Sequence, residues 1–247
     1  MSSLGRNARI AGFLYLLLVL AGPVRLIYIP SVLFVTGNAA ATSHNIASHE
    51  ALFRIGIFSD LLTATLDIAV VLALYRLLNG VNRNLAIVMV ILGLADVPIY
   101  FCNTLNDVAA LLFARGTDFL SAFGQTQQNA MTMLFLNLHH YGVVVNEVFW
   151  GLWLLPFGLL VYQSRFLPRI LGAFLVANCM AYLAQVFAGV LLPQYAEMVS
   201  NVVFPLQFGE IAIMLWLIVM GAKRNRELGP GERQSGPPDA GETLRSS

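Results

Sequence analysis

Charge is what this sequence has least of. Only 11% of its 247 residues are Asp, Glu, Lys or Arg, while 58% are hydrophobic and the mean hydropathy is +0.74. A soluble domain carries about 25% charged residues to keep its surface in water. A chain this poor in charge needs another solvent for its exterior, and lipid is that solvent. The net charge of +1 suits no polyanionic partner, nucleic acid included. Cysteine is equally scarce: Cys102 and Cys179 lie in apolar stretches without C-x-x-C spacing, which excludes a disulfide framework and a metal knuckle. No G-x-S-x-G, Walker A or G-x-G-x-x-G followed by a strand occurs, so neither a serine elbow nor a nucleotide cradle is supported. Haem held by His140 would need a second deep histidine on another helix, and none is present.

What is there is a set of six apolar stretches, near Ile10–Ile29, Phe53–Leu78, Leu85–Phe113, Leu134–Tyr162, Ile170–Leu192 and Val202–Ala222. Each is long enough for a hydrocarbon core of about 30 Å. The expected fold class is therefore an all-α integral membrane protein, with six transmembrane helices in one bundle over residues 1–222. The third and fourth stretches are over-long, which predicts tilt, and Pro98 sits inside the third, where it removes a backbone hydrogen bond. Arg6 and Arg9 precede the first stretch, but its length and the lack of a small-x-small site favour a span over a cleaved signal. Residues 223–247 are Gly, Pro, Ser and charge with little to bury, and read as a disordered tail. The alanine-rich segment from Asn38 to Ser48 predicts a short interfacial helix capped by Asn38.

Basic residues fall unevenly. Arg6, Arg9, Arg76, Arg83, Arg165, Arg169, Lys223, Arg224 and Arg226 lie on one side of this topology, against Arg25, Arg54 and Arg115 near span ends on the other. The positive-inside rule then puts both termini in the cytoplasm. A faint internal echo accompanies this pattern. Leu74-Tyr75-Arg76 before Asn82-Arg83-Asn84-Leu85 is similar to Val161-Tyr162-Gln163 before Pro168-Arg169-Ile170-Leu171, although any helix end would choose Tyr and Arg at a membrane exit.

Acids inside the apolar stretches are the anomaly. A carboxylate at helix centre costs about 2.5–3.5 kcal/mol on insertion scales. This chain has Asp60, Asp67, Asp96, Glu147 and Glu210. A seven-residue step returns to the same helical face, and that step separates Asp60 from Asp67, Asp96 from Asn103, His140 from Glu147, and Asn178 from Gln185; Asp107 continues the third stripe, and Gln207 and Glu210 share a face of the sixth helix. These stripes are expected to converge on one polar chamber. With no Lys or Arg at mid-membrane, its acids must be protonated, bind a cation, or hydrogen-bond around enclosed water. The bland reading is that they are neutral interhelical glue.

Histidine supplies a second signal. His44, His49, His139 and His140 all fall near outward helix ends. His49, His139 and His140 with Asp60 could form a zinc site by ligand type, but His49-Glu50-Ala51-Leu52-Phe53 lacks the second histidine of H-E-x-x-H.

Several runs resemble a bacterial membrane-protein family known as domain of unknown function 4386. They include Ala8-Arg9-Ile10-Ala11-Gly12, His49-Glu50-Ala51-Leu52-Phe53-Arg54-Ile55-Gly56, Asp60-Leu61-Leu62, Leu74-Tyr75-Arg76-Leu77-Leu78, Leu138-His139-His140-Tyr141-Gly142, and Phe149-Trp150-Gly151-Leu152-Trp153-Leu154-Leu155-Pro156. The likeness spans roughly residues 8–222 and implies a multi-pass protein of the bacterial cytoplasmic membrane without implying an activity. One departure is that Gln185 stands after Tyr182, where relatives are expected to carry an acid.

Three functions are compatible with these residues. The first is a binding or transport bundle with an outward-opening, acid-rich pocket for a cation, proton or small polar solute. Asp67, Asp96, Glu147 and Glu210 would be its central acids, with Asp60, Asn103 and Gln185 beside them and His49, Glu50, Arg54 and His140 at the mouth. The second is a metal-dependent hydrolase of a lipid-type substrate, in which Glu147 would be the base. The third is a non-catalytic partner subunit. Whether the chain is an enzyme stays open at this level, as does a homo-oligomeric state; the lipid bilayer is the one partner that composition requires.

Overall fold

A computed structural model describes residues 3–222; the expected tail, 223–247, lies outside the described residues. Among them the structure is entirely helical and has six helices long and apolar enough to cross a membrane. In chain order the α-helices are α1 (Ser3–Pro23), α2 (Ile29–Leu33), α3 (Ala39–Ser48), α4 (Glu50–Leu78), α5 (Arg83–Arg115), α6 (Gln125–Gln163), α7 (Arg169–Leu191), α8 (Ala196–Val203) and α9 (Phe208–Val219). The first span runs from α1 through a π-helical turn (Val24–Tyr28) into α2, and the sixth joins α8 to α9 through a 3₁₀ turn (Phe204–Gln207). Six crossings return the described ends to one face of the bundle, called here the terminal face; the opposite one is the distal face.

Helix boundaries follow local chemistry. Asn38 accepts a hydrogen bond from the Ala41 N–H at 2.9 Å, so the expected short helix forms with its expected cap. Asn82 does the same for α5 through the Leu85 N–H at 3.1 Å. Gly116 ends α5 with φ +61°, a left-handed conformation that suits glycine. The helix runs unbroken through Pro98. At 39 residues α6 is about 58 Å long, nearly twice the hydrocarbon thickness. Its opening run Gln125-Thr126-Gln127-Gln128-Asn129 is polar, as a segment projecting beyond the lipid must be.

The π turn has an identifiable cause. Pro30 has no N–H to give the Leu26 carbonyl, and the Ile29 N–H bonds Val24 O, five residues back. In the widened turn Arg25 faces inward and is 3% exposed, whereas Ile27 and Tyr28 face out.

The six spans form a ring in chain order: α1 packs on α4, α4 on α5, α5 on α6, α6 on α7, α7 on α9, and α9 closes on α1. With lipid outside, no hydrophobic force draws apolar helices together, and close packing must do so. Gly158 and Gly172 let α6 and α7 meet backbone to backbone; a Cβ on Gly158 would lie 2.8 Å from the Gly172 carbonyl oxygen. Large side chains such as Phe13, Leu20, Phe58, Ile91, Leu105, Met180 and Phe187 point outward as a lipid-facing belt.

Inside, two apolar clusters bracket polar layers. The larger, around Leu74, Met89, Leu154, Phe157, Leu175 and Leu217, fills the terminal half. The smaller, around Ile29, Leu33, Ile46, Phe53, Leu111 and Leu136, closes the distal end. The intramembrane acids lie between them.

Candidate functional site

The polar side chains sort by depth into two groups. The distal group is a closed network. Arg25 donates to Asp107 on α5 through Nε at 2.6 Å and Nη2 at 2.5 Å, a bidentate pair with both partners buried. The guanidinium also lies over the rings of Phe34 and Phe53, 5.6 and 5.9 Å from their centroids. His139 Nε2 stands 2.9 Å from Asp60 and 3.4 Å from Asp107, so the imidazole bridges the two acids. Tyr100 completes the chain, its hydroxyl donating to Asp60 at 3.1 Å. Asn103 holds this end of α6 by donating to the His139 carbonyl at 2.9 Å, and Gly142 leaves room for it: a Cβ there would overlap the Asn103 amide. Asp60 and Asp107 are thus met by Arg25, His139 and Tyr100, the close pairing that buried carboxyl groups require.

The second group surrounds a cavity of about 390 Å³ at mid-membrane. Asp67 from α4, Asp96 from α5 and Glu210 from α9 all line it, and among the described residues no Lys, Arg or His does. Glu210 accepts from the hydroxyls of Tyr15 and Tyr182, the latter at 3.1 Å, and from Asn178 Nδ2 at 3.2 Å. Trp150 Nε1 donates to Asp96 Oδ2 at 3.0 Å, while the buried Asp96 Oδ1 meets no N–H or alcohol donor. The Asp67 and Asp96 carboxyls lie within hydrogen-bonding reach of each other.

The cavity's exposed lining residues are Pro23 and Ile27 on one side and Phe204 and Phe208 on the other. All four are apolar and lie between the first and last spans. The expected outward mouth therefore differs from this opening, which faces the hydrocarbon. Along the distal route stand the Arg25 network and the small apolar cluster. Gln207, which also lines the cavity, donates to Gln185 at 2.6 Å, and Gln185 donates to Ser200 at 3.1 Å, tying the 3₁₀ turn and α8 to α7.

The remaining residues singled out from sequence lie elsewhere. Glu147 is half-buried on α6 and does not line the cavity. His49, Glu50 and Arg54 sit at the distal surface: His49 Nδ1 meets the Asn45 carbonyl at 3.0 Å, and Glu50 pairs with Arg54 at 2.7 Å and Arg115 at 3.2 Å. His140 is exposed beside Tyr141. Of the expected zinc set, only His139 and Asp60 come together. The three residues whose ligand atoms cluster are Asp60, Asp107 and His139, and Arg25 already engages both oxygens of Asp107. Cys102 and Cys179 are free thiols on different helices.

Sequence reasoning left out Tyr15, Tyr100, Trp150 and Tyr182, because aromatic residues in an apolar run look like bulk. It placed Arg25 near a span end, away from the mid-membrane acids. The bracketing of Arg25 by Pro23 and Pro30 was the available signal, since paired prolines mark a distorted turn that can aim a side chain inward.

A family model described as "Domain of unknown function (DUF4386)" matches residues 10–221. The chain belongs to this family. Both polar groups lie inside the region that DUF4386 covers. An uncharacterized protein of Archaeoglobus fulgidus is 28% identical over 172 residues, covering 68% of this chain and 83% of that protein, so likeness to this DUF4386 member extends to an archaeon. No solved structure matches.

Proposed function

We propose that this protein is a binding or transport bundle whose central cavity handles a cation, a proton or a small polar solute at Asp67, Asp96 and Glu210. The observation that carries this reading is a cavity lined by three acids, two of them set against each other, and by no base among the described residues. Such a group costs free energy unless something binds it. Structural glue would leave no open space beside the acids. The terminal face is assigned to the cytoplasm because it carries most of the basic residues, which in a bacterium makes this a protein of the cytoplasmic membrane.

Vesicles containing the protein test the reading. Sodium-22 or thallium(I) influx, with an internal pH-sensitive dye reporting protons, should exceed that of empty vesicles. Asp96→Asn should lower the excess at least tenfold while eluting at the wild-type position on size exclusion. Unchanged influx in that variant would remove the cavity from the function.

The hydrolase reading draws on Asp60, Asp107 and His139, whose ligand atoms lie within 4.8 Å of one another. Two features weigh against it. Arg25 holds Asp107 from both oxygens, and none of the three residues lines the cavity where a substrate would sit.

A further inference from the structure

The acids of the central cavity are set among aromatic rings. Tyr100, Trp150, Trp153 and Tyr182 surround them, and Phe204 and Phe208 flank the opening. Trp150 stands at the centre of this arrangement, 6.0 Å from the Tyr100 ring and 6.2 Å from that of Tyr182. A small metal cation wants six or more oxygen ligands in place of its water, and these walls offer few. Organic cations are held differently, by the negative faces of aromatic rings together with a carboxylate. The cavity's size falls in the range of about 300–1,000 Å³ typical of pockets for drug-sized molecules.

Access narrows the choice further. The exposed lining residues Pro23, Ile27, Phe204 and Phe208 meet hydrocarbon, so a ligand using this opening must dissolve in lipid. A charged ligand must also be positive, because three acids and, among the described residues, no base line the cavity. We infer that the cavity takes a lipid-soluble organic cation, an onium centre bearing apolar arms, which reaches Asp67 and Asp96 sideways from the bilayer between α1 and the Phe204–Gln207 turn. This rests on the acid-cavity reading above and names its ligand class. The same chemistry could come from a free amphipathic cation or from the choline headgroup of a lipid.

Tetraphenylphosphonium is a suitable probe, with tetraphenylborate as a control of matching shape and opposite charge. Each is measured separately by equilibrium binding to the full chain in phosphatidylglycerol nanodiscs, against empty discs. The expected result is saturable phosphonium binding near one per protein, no saturable borate binding, and at least a tenfold loss in Asp67→Asn/Asp96→Asn. Val19→Trp, which narrows the cavity without touching the acids, should lose at least as much if the double variant does not fold. Thr65→Ala, on the lipid-facing side of α4, should bind as wild type does. Repeating the titration in phosphatidylcholine discs separates the sources: tenfold weaker binding marks the choline headgroup as the competing occupant, and equal binding marks a free cation. Absence of saturable phosphonium binding, or equal binding of borate, overturns the inference. If sodium-22 or thallium(I) still binds and depends on Asp96, the acid-cavity reading stands and only the organic-cation assignment falls.

Discussion

The carboxyls of Asp60 and Asp67 leave the same face of α4 about 10 Å apart along its axis, yet they enter opposite environments. Asp60 is fully buried, meets Tyr100 and His139, and belongs to a network that Arg25 closes. Asp67 opens on a cavity and lies against a second acid, Asp96, with no base among the described residues in the lining. The distal group thus sets its acids against Arg25 and His139, as a structural lock must. The central group sets acid against acid beside empty volume, as the proposed binding site would. Within one bundle, the same residue type meets basic partners at one depth and open space at another.

The sharpest way to break this contrast is to unlock the distal network. Arg25→Met leaves Asp107 buried without its partner, and removing one member of a buried pair costs roughly 3–5 kcal/mol. Unfolding by SDS in mixed micelles should show that loss. Arg25→Met/Asp107→Leu should recover most of it, because the orphaned charge is gone; equal losses in the single and double variants would deny the network its locking role. The next largest effect belongs to Glu210→Gln. Its carboxylate accepts from three donors, and an amide with one acceptor oxygen should lose about 1–3 kcal/mol by the same assay.

Asp96→Asn sharpens the comparison from the other side. It keeps an oxygen that can accept from Trp150 and replaces the other with an amide N–H that can donate to Asp67, so stability should change by no more than about 1 kcal/mol while tetraphenylphosphonium binding falls at least tenfold. A large stability loss with binding intact would reverse the roles assigned to the two regions. The smallest effect is expected at Glu50→Gln, which breaks the solvent-accessible pairs to Arg54 and Arg115; exposed ion pairs are worth roughly 0–1 kcal/mol, and the unfolding midpoint should barely move.

Sequence spacing located the helical faces well and the depths poorly. The seven-residue step put Asp60 beside Asp67 and Asp96 beside Asn103 on common faces, and each pair then divided between the two regions. Periodicity reports an angle around the helix axis. Which residue of a neighbouring helix stands opposite depends on how the spans slide past one another, and no single helix encodes that. His139 and His140 show the same limit: adjacent in sequence, they differ by about 100° in direction, so His139 enters the network while His140 faces out. Aromatic partners were hidden because a Tyr or Trp in an apolar run carries no distinctive signal until its hydroxyl or indole N–H is seen to meet an acid.

By itself, then, the sequence determined that the chain is a membrane protein, how many times it crosses, which residues are too polar for lipid, and that Asn38 caps a short helix. Those are consequences of composition, length and local hydrogen bonding, all of which act along the chain. Only the tertiary structure decided that Arg25 would turn inward to close a network, that three acids from three separate spans would share a cavity, and that its opening would face lipid. Each of these depends on contacts between residues tens of positions apart or more, set by the closing of the helical ring and by the glycine surfaces that let its members approach.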